Sequence, residues 1–221
     1  MGKITYKDIF ENSEIRTYIE MGDKVLGVLG YTDHSRAHAV KVAEEAAEIL
    51  QDLGYSEREI ELAKIAGYMH DIGNSVNRND HAHNGAVMAF NILRDLGMDH
   101  EEIAIIVSAI GHHDEKTGTA VHPVSAALII ADKTDVRRNR VRTKNKANFD
   151  IHDTVNYAVV SSDLTVNKEK RVIQMDITLD EDICSVLDYF EIFLERMLMC
   201  RRAAEVFGMK FKLTANGNKV L

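Results

Sequence analysis

Histidine and aspartate residues recur between His38 and Asp132 of this 221-residue chain, each near the predicted end of a helix. The central pair is His70-Asp71, which follows an apolar helical run. The other members of the set are His38, His81, His112, His113 and Asp132. Imidazole suits borderline transition metals, carboxylate suits harder ions, and a buried aspartate is costly unless a cation lies near it. The pattern therefore predicts a metal centre.

The order of these residues resembles that of a known family. His38, His70-Asp71 and Asp132 together resemble the HD superfamily of metal-dependent phosphohydrolases. The additional His81 and His112-His113 are similar to the branch of that superfamily that binds two or more metals. That branch includes the HD-GYP cyclic-dinucleotide phosphodiesterases and the HD-type diadenosine tetraphosphate hydrolases. The resemblance implies a mainly α fold with an HD-domain helical bundle.

Two positions depart from the family pattern, over a resemblance that spans roughly residues 30–140. Thr117-Gly118-Thr119-Ala120 stands where the Gly-Tyr-Pro that names the HD-GYP branch is expected. Asn74 stands where many HD proteins carry a lysine that contacts substrate phosphate. Another cation would then take over this contact, and Lys133 and Arg137 are the candidates.

The resemblance implies two divalent transition-metal ions, drawn from Fe, Mn, Co, Ni and Zn, that share Asp71. One ion would be held by His38, His70, Asp71 and Asp132. The other would be held by Asp71, His81, His112 and His113, with His112 the preferred ligand of the last two. A bridging water would lose a proton near neutral pH and attack phosphorus, so Asp71 and His70 are the predicted catalytic residues. For His34, an exposed position and a ligand to an additional ion both stay open.

A run of basic residues begins directly after Asp132 and continues to Lys146, in a chain of net charge −8. Such runs usually form a solvated face. Here the run adjoins a predicted metal ligand, and arginine suits bidentate contact with phosphate oxygens. We therefore predict that substrate phosphate is bound by Lys133, Arg137, Arg138 and Arg140.

Apolar periodicity predicts a helical domain over residues 1–148, which the resemblance implies is of the HD type, and a small α+β appendage over residues 149–221. The first domain is predicted to open with one helix over residues 3–20. A second helix is predicted from an N-cap at Asp33 to Leu53, with Gly54 ending it.

The appendage is predicted to contain a strand hairpin, a long helix over residues 181–207 and a short strand around Phe211. The first strand of the hairpin is predicted to begin at Tyr157. Three strands and one helix have an apolar face to cover, either against the helical domain or in a homodimer. The sequence leaves both arrangements open.

Composition and the distribution of apolar residues argue against several classes of protein. No apolar run approaches the ~20 residues of a membrane span, and the first residues lack the apolar core of a signal peptide. The net charge of −8 argues against general nucleic-acid binding. Cys184 and Cys200 would lie too far apart on one helix to form a disulfide, so a reduced, cytoplasmic setting is expected.

The leading interpretation is a metal-dependent phosphohydrolase that cleaves a phosphoester or phosphoanhydride of a nucleotide or another small phosphorylated metabolite. No Gly-x-Ser-x-Gly or Walker loop suggests a competing mechanism. Two alternatives stay open: a non-catalytic nucleotide-binding sensor and an HD-type di-iron oxygenase.

Overall fold

The computed structural model describes residues 3–143 and 149–220, so Lys144 and Lys146 of the basic run lie outside the described residues. The described chain is mainly α-helical, as predicted. Its α-helices are α1 (Tyr6–Glu11), α2 (Ser13–Val28), α3 (Arg36–Leu53), α4 (Glu57–Met69), α5 (His81–Asp95), α6 (His100–Gly111), α7 (Pro123–Thr134), α8 (Ile151–Ala158) and α9 (Val186–Val206). Two short 3-10 helices cover Ile72–Ser75 and Arg138–Arg140. The strands are β1 (Val159–Asn167), β2 (Val172–Leu179), β3 (Lys210–Ala215) and β4 (Asn218–Lys219).

The N-terminal segment is broken where one helix was predicted. The side chain of Asn12 accepts hydrogen bonds from the backbone N–H groups of Glu14 and Ile15, so it caps a new helix and separates α1 from α2. The N-cap of α3 is Ser35 rather than Asp33, whose side chain instead accepts the Ser35 backbone N–H. The left-handed Gly54 (φ 80°) ends α3 as predicted.

Helices α3 and α4 approach each other closely at the level of the predicted metal ligands. A methyl group built on Gly67 of α4 would lie 2.7 Å from the Cα atom of Ala43 on α3. At the turn after α4, a methyl group on Gly73 would lie 2.0 Å from the backbone oxygen of His81. Glycine at these two positions therefore lets the backbones that carry the histidines come together.

The C-terminal segment forms one four-stranded sheet in the order β1-β2-β3-β4. Strands β1 and β2 form the predicted antiparallel hairpin, while β3 pairs with β2 in parallel after the α9 crossover. The predicted start of the first strand was wrong, because Tyr157 belongs to α8. Asp150 is the N-cap of α8, because its side chain accepts a hydrogen bond from the backbone N–H of Asp153.

Helix α9 packs against α7 of its own chain. Buried side chains from the helical segment and from the sheet, such as Ile129 and Met175, belong to one continuous core. The apolar face of the appendage is thus covered within the chain, and the division at residue 148 stays a prediction. Among the described helices, none is both long and apolar enough to cross a membrane.

Candidate metal centre

Four side chains, from α3, from the turn that follows α4 and from α7, converge at one end of the helical segment. The Nε2 atom of His38 lies 3.5 Å from Asp132 Oδ1 and 3.8 Å from Asp71 Oδ2. The Nε2 atom of His70 lies 3.2 Å from Asp71 Oδ2 and 3.7 Å from Asp132 Oδ1. Two imidazoles and two carboxylates therefore face one point, as the sequence pattern predicted.

The second oxygen of Asp71 faces a different pair of imidazoles. Asp71 Oδ1 lies 3.5 Å from His81 Nε2 and 3.8 Å from His113 Nε2, and these two nitrogens are 3.1 Å apart. His81 is the first residue of α5, and His113 lies just beyond the end of α6. Asp71 thus has one oxygen toward each pair of histidines.

Among the residues that the structure describes, three sets of ligand atoms within 4.8 Å of one another could hold a metal ion. They are His38 with His70 and Asp71, His70 with His113 and Asp132, and Asp71 with His81 and His113.

None of these sets, among the described residues, includes His112. The geometry therefore favours His113 over the expected His112 as the ligand of the pair, and the metal-ligand role of each stays a prediction. His113 is 1% exposed, and its Nδ1–H donates to Ile110 O at 2.6 Å, which turns Nε2 toward Asp71.

Hydrogen bonds define the tautomer of each histidine in the centre. The Nδ1–H groups of His70, His81 and His113 donate to the backbone oxygens of Gly67, Arg78 and Ile110 at 2.7, 3.1 and 2.6 Å. His38 donates from Nδ1 to Asp135 Oδ2 at 2.7 Å. Each Nε2 atom is then a lone-pair acceptor, and all four face the carboxylates of Asp71 and Asp132.

This donor set fits a cation. Lone pairs of neutral imidazoles that face one another and two carboxylates repel unless a positive charge lies between them. The Nε2 atoms of His38 and His70 are buried and have no hydrogen-bond partner within the described chain. Such atoms need an explanation in a native fold, and a bound divalent ion supplies one.

The protonation states of His81 and Asp71 are those that metal ligands require, whereas the two carboxylates favour a positive charge at His70. Burial, and next the neighbouring imidazole of His113, lower the pKa of His81 to about 3, so its imidazole is neutral at pH 7. Burial opposes the charge of Asp71, but His70 and His113 hold the pKa of that carboxyl well below its usual range. Burial disfavours the charged form of His70, yet Asp71 and Asp132 raise its pKa above the ordinary value.

Comparison with known proteins gives the chain a family. A model of the HD domain matches residues 36–191. The chain belongs to the HD domain family. The matched region extends past residue 148 and so includes part of the C-terminal segment.

Individual relatives differ in how much of their length they share with this HD-domain chain. An uncharacterized protein of Methanocaldococcus jannaschii is 28% identical over 204 residues, which is 81% of this chain and 78% of that protein. Ribonuclease Y of Enterococcus faecalis is 29% identical over 131 residues, and ribonuclease Y of Opitutus terrae is 31% identical over 134 residues. Each of these matches covers 57% of this chain but only 23% of the ribonuclease.

Among solved structures, a predicted HD superfamily hydrolase from an uncultured Thermotogales bacterium is 28% identical to this chain. The superposition has a TM-score of 0.44 and covers 56% of this chain and 67% of the other.

Two residues that hold ligands of the HD-domain centre were not predicted. Asp135 is 1% exposed and fixes the ring of His38. Asn74 donates from Nδ2 to Asp71 Oδ1 at 2.7 Å, so the amide that replaces the family's lysine orients the shared carboxylate. The departure from the family pattern at position 74 could have pointed to a role for Asn74, whereas nothing in the sequence pointed to a role for Asp135.

The four predicted phosphate-binding residues of the basic run do not all face the site. Lys133 and Arg140 line the large cavity above the centre. The other two predicted phosphate-binding residues do not line it in the described part of the chain: Arg137 donates to Asp135 Oδ2 at 3.0 Å, and Arg138 donates to Tyr157 O at 2.6 Å. The arrangement therefore does not support phosphate binding by Arg137 or Arg138, and that role for Lys133 and Arg140 stays a prediction.

The cavity has a volume of about 790 Å³ and opens directly onto Asp71 and Asp132. Its wall includes Arg78 and Arg196, two cations that the sequence did not single out. His34 also lines it, with its ring centroid 5.6 Å from that of His38, but among the described residues none of the three ligand sets contains it. The site thus combines ligand atoms for a metal with a polar chamber of the size that holds small molecules.

Proposed function

We propose that this HD-domain protein is a metal-dependent phosphohydrolase that cleaves a phosphoester or phosphoanhydride in a nucleotide or another small phosphorylated metabolite. The observation that carries the proposal is the orientation of the Asp71 carboxylate, whose two oxygens face different pairs of histidines. Its Oδ2 faces His38 and His70, and its Oδ1 faces His81 and His113. One carboxylate between two sets of imidazoles is the arrangement expected of a centre with two ions.

The chain's own residues hold the ligands in place for this chemistry. Asn74 holds Oδ1 of Asp71, and Lys133 Nζ lies 2.8 Å from Asp132 Oδ2, which leaves Asp132 Oδ1 toward the imidazoles. When bound, divalent ions would neutralise charge on the phosphoryl group and lower the pKa of the attacking water. Lys133 and Arg140, which lie in the cavity wall, are then the proposed contacts for substrate phosphate.

The substrate proposed is small rather than a long nucleic acid. A chamber of about 790 Å³ matches a small-molecule ligand, and the net charge of −8 disfavours the many phosphate contacts that a polymer needs. The similarity to ribonuclease Y supports phosphodiesters as one class to test. It covers 23% of that protein, so its activity on RNA is not carried over to this chain.

The test begins with the metal content of protein purified without added metal. We expect about two transition-metal ions per chain, and hydrolysis of p-nitrophenyl phosphate esters or nucleotides that depends on them. Asp71→Asn should abolish both hydrolysis and the full metal content, because it removes the shared charge. The matched control is Asp95→Asn, which changes an exposed carboxylate paired with Arg94.

Each outcome bears on the proposal. About one ion per chain would contradict the binuclear arrangement. His81 and His113 would then contact the substrate or the other ligands instead of a second ion. Unchanged hydrolysis in Asp71→Asn would overturn the proposed function. Absence of metal under any supplementation would favour a nucleotide sensor, and iron with oxygen consumption but no phosphate release would favour an oxygenase.

A further inference from the structure

Arg196 lies on α9, in the C-terminal segment, yet it faces the same cavity as the metal ligands. Its Nε atom donates to Glu115 Oε1 at 3.4 Å, and its guanidinium lies 4.7 Å from the centroid of the Phe193 ring. The Nη1 and Nη2 groups have no hydrogen-bond acceptor among the described residues. Stacking on Phe193 fixes the guanidinium plane while its terminal donors stay available to a ligand.

Two other cations of the cavity, Lys133 and Arg140, are more fully engaged. Lys133 Nζ is shared between Asp132 and Glu115 at 2.8 Å from each carboxylate. Arg140 is 6% exposed and donates to two backbone oxygens, those of Asp33 and Asp135. Arg78, also in the wall, donates from Nη1 to Asn74 Oδ1 beside the centre, and Lys116 is an exposed ammonium without a planar fork. Arg196, with a quarter of its side chain exposed, is therefore a guanidinium of the wall whose described hydrogen bond uses Nε alone.

Among the described residues, Arg196 has no hydrogen bond or ion pair with a predicted metal ligand. Two side chains separate it from the metal ligands, because Glu115 joins Arg196 to Lys133, and Lys133 in turn contacts Asp132. An anion bound at Arg196 is thus a second group of the same ligand. The unengaged Nη1/Nη2 edge of a guanidinium favours bidentate contact with two phosphate oxygens.

We propose that Arg196 is a specificity-determining residue that binds a second phosphate of the substrate, so that substrates with two phosphates are preferred to matched substrates with one. This inference rests on the proposed function, whose reaction takes place at the histidine–aspartate centre. Because Arg196 lies on α9, this role makes the C-terminal segment a part of the substrate site.

The test compares two ligands that differ by one phosphate, adenosine 5′-monophosphate and adenosine 3′,5′-bisphosphate. Calorimetry on the protein as purified gives both dissociation constants, and phosphate release is measured in parallel. A charge-assisted contact predicts that the wild type binds the bisphosphate about 10- to 100-fold more tightly. Arg196→Gln should remove most of this preference, and Arg196→Lys should keep part of it, since an ammonium lacks the planar fork.

Arg202→Gln is the matched control, because Arg202 lies on the same helix and is exposed. It should keep the full preference for the bisphosphate. Thermal melting checks that the variants fold, and if Arg196→Gln does not fold, the partial loss expected in Arg196→Lys carries the test.

The inference is overturned if the wild type binds both ligands equally or binds neither, or if the Arg196 variants keep its preference. A preference that depends on Arg196 without any phosphate release would support the inference and count against the proposed function. Phosphate release without a preference would do the reverse.

Discussion

Asp135 determines which nitrogen of His38 faces the centre. Its Oδ2 accepts the His38 Nδ1–H at 2.7 Å, so Nε2 is left as the ligand atom. Burial opposes the charge of Asp135, but the hydrogen bond with His38 and the charge of Arg140 hold the pKa of Asp135 well below its usual range. A carboxylate behind a ligand histidine both orients the ring and raises its basicity.

We expect Asp135→Asn to weaken metal binding about 10- to 100-fold, because the amide keeps the volume but loses the charge behind His38. The dissociation constant is measured by competition with a chelator of known affinity. The control is Asp52→Asn, an exposed change near the C-terminal end of α3. Equal metal affinity in both variants would contradict the role assigned to Asp135.

At the scale of elements, the contact between α3 and α4 sets the separation of His38 and His70. The two rings have centroids 5.2 Å apart, and each histidine comes from one of these helices or its end. Gly67 lies one turn before His70, where the backbone of α3 leaves no room for a Cβ atom. The same glycine accepts the His70 Nδ1–H through its backbone oxygen.

Gly67→Ala should destabilise the fold by about 1–3 kcal/mol, because the added methyl group would overlap the backbone of Ala43. Chemical denaturation measures the change in the free energy of unfolding. The control is Gly27→Ala in α2, where the methyl group would meet only the flexible side chain of Arg142 at 3.5 Å. That control should be neutral or stabilising by up to about 1 kcal/mol, and equal losses in both variants would contradict the close approach of α3 and α4.

At the scale of the whole molecule, ionic contacts connect parts of the chain that are distant in sequence. Arg58 of α4 donates to the backbone oxygen of Ile4, to Glu61 and to Glu102 of α6. These contacts join the N-terminal segment to two helices of the bundle. A homodimer and a cytoplasmic location stay predictions at this scale.

Replacing Glu102 by Gln should lower the free energy of unfolding by about 0.5–1 kcal/mol at pH 7, the range of partly exposed ion pairs. The hydrogen bond from Arg58 lowers the pKa of Glu102 in the folded state. The carboxylate therefore contributes stability above its unfolded pKa of about 4.3, and this contribution is lost as the pH falls through the lower folded value. Denaturation at pH 7 and at pH 3 should show a difference between wild type and variant that shrinks in acid, and a constant difference would contradict this account.

The sequence was sufficient for features that depend on local spacing. The end of α3 at Gly54 and the hairpin of β1 and β2 were predicted and are present. Most of the histidines and aspartates that meet at the centre were named from the sequence, because their order along the chain resembles that of the HD family, and their role as metal ligands stays a prediction. Helix caps were predicted wrongly at Asn12, which interrupts an apolar pattern, and at Asp33, which lies two residues before the true cap of α3, Ser35.

Tertiary structure alone decided which side chains meet. Whether His112 or His113 faces Asp71 depends on how α6 ends, and whether Arg137 or Arg140 lines the cavity depends on which neighbours they bind. Arg196 joins the site from the far end of the chain through the packing of α9 on α7. Sequence separation carries no information about such contacts, because they arise from the packing of whole helices around a shared core.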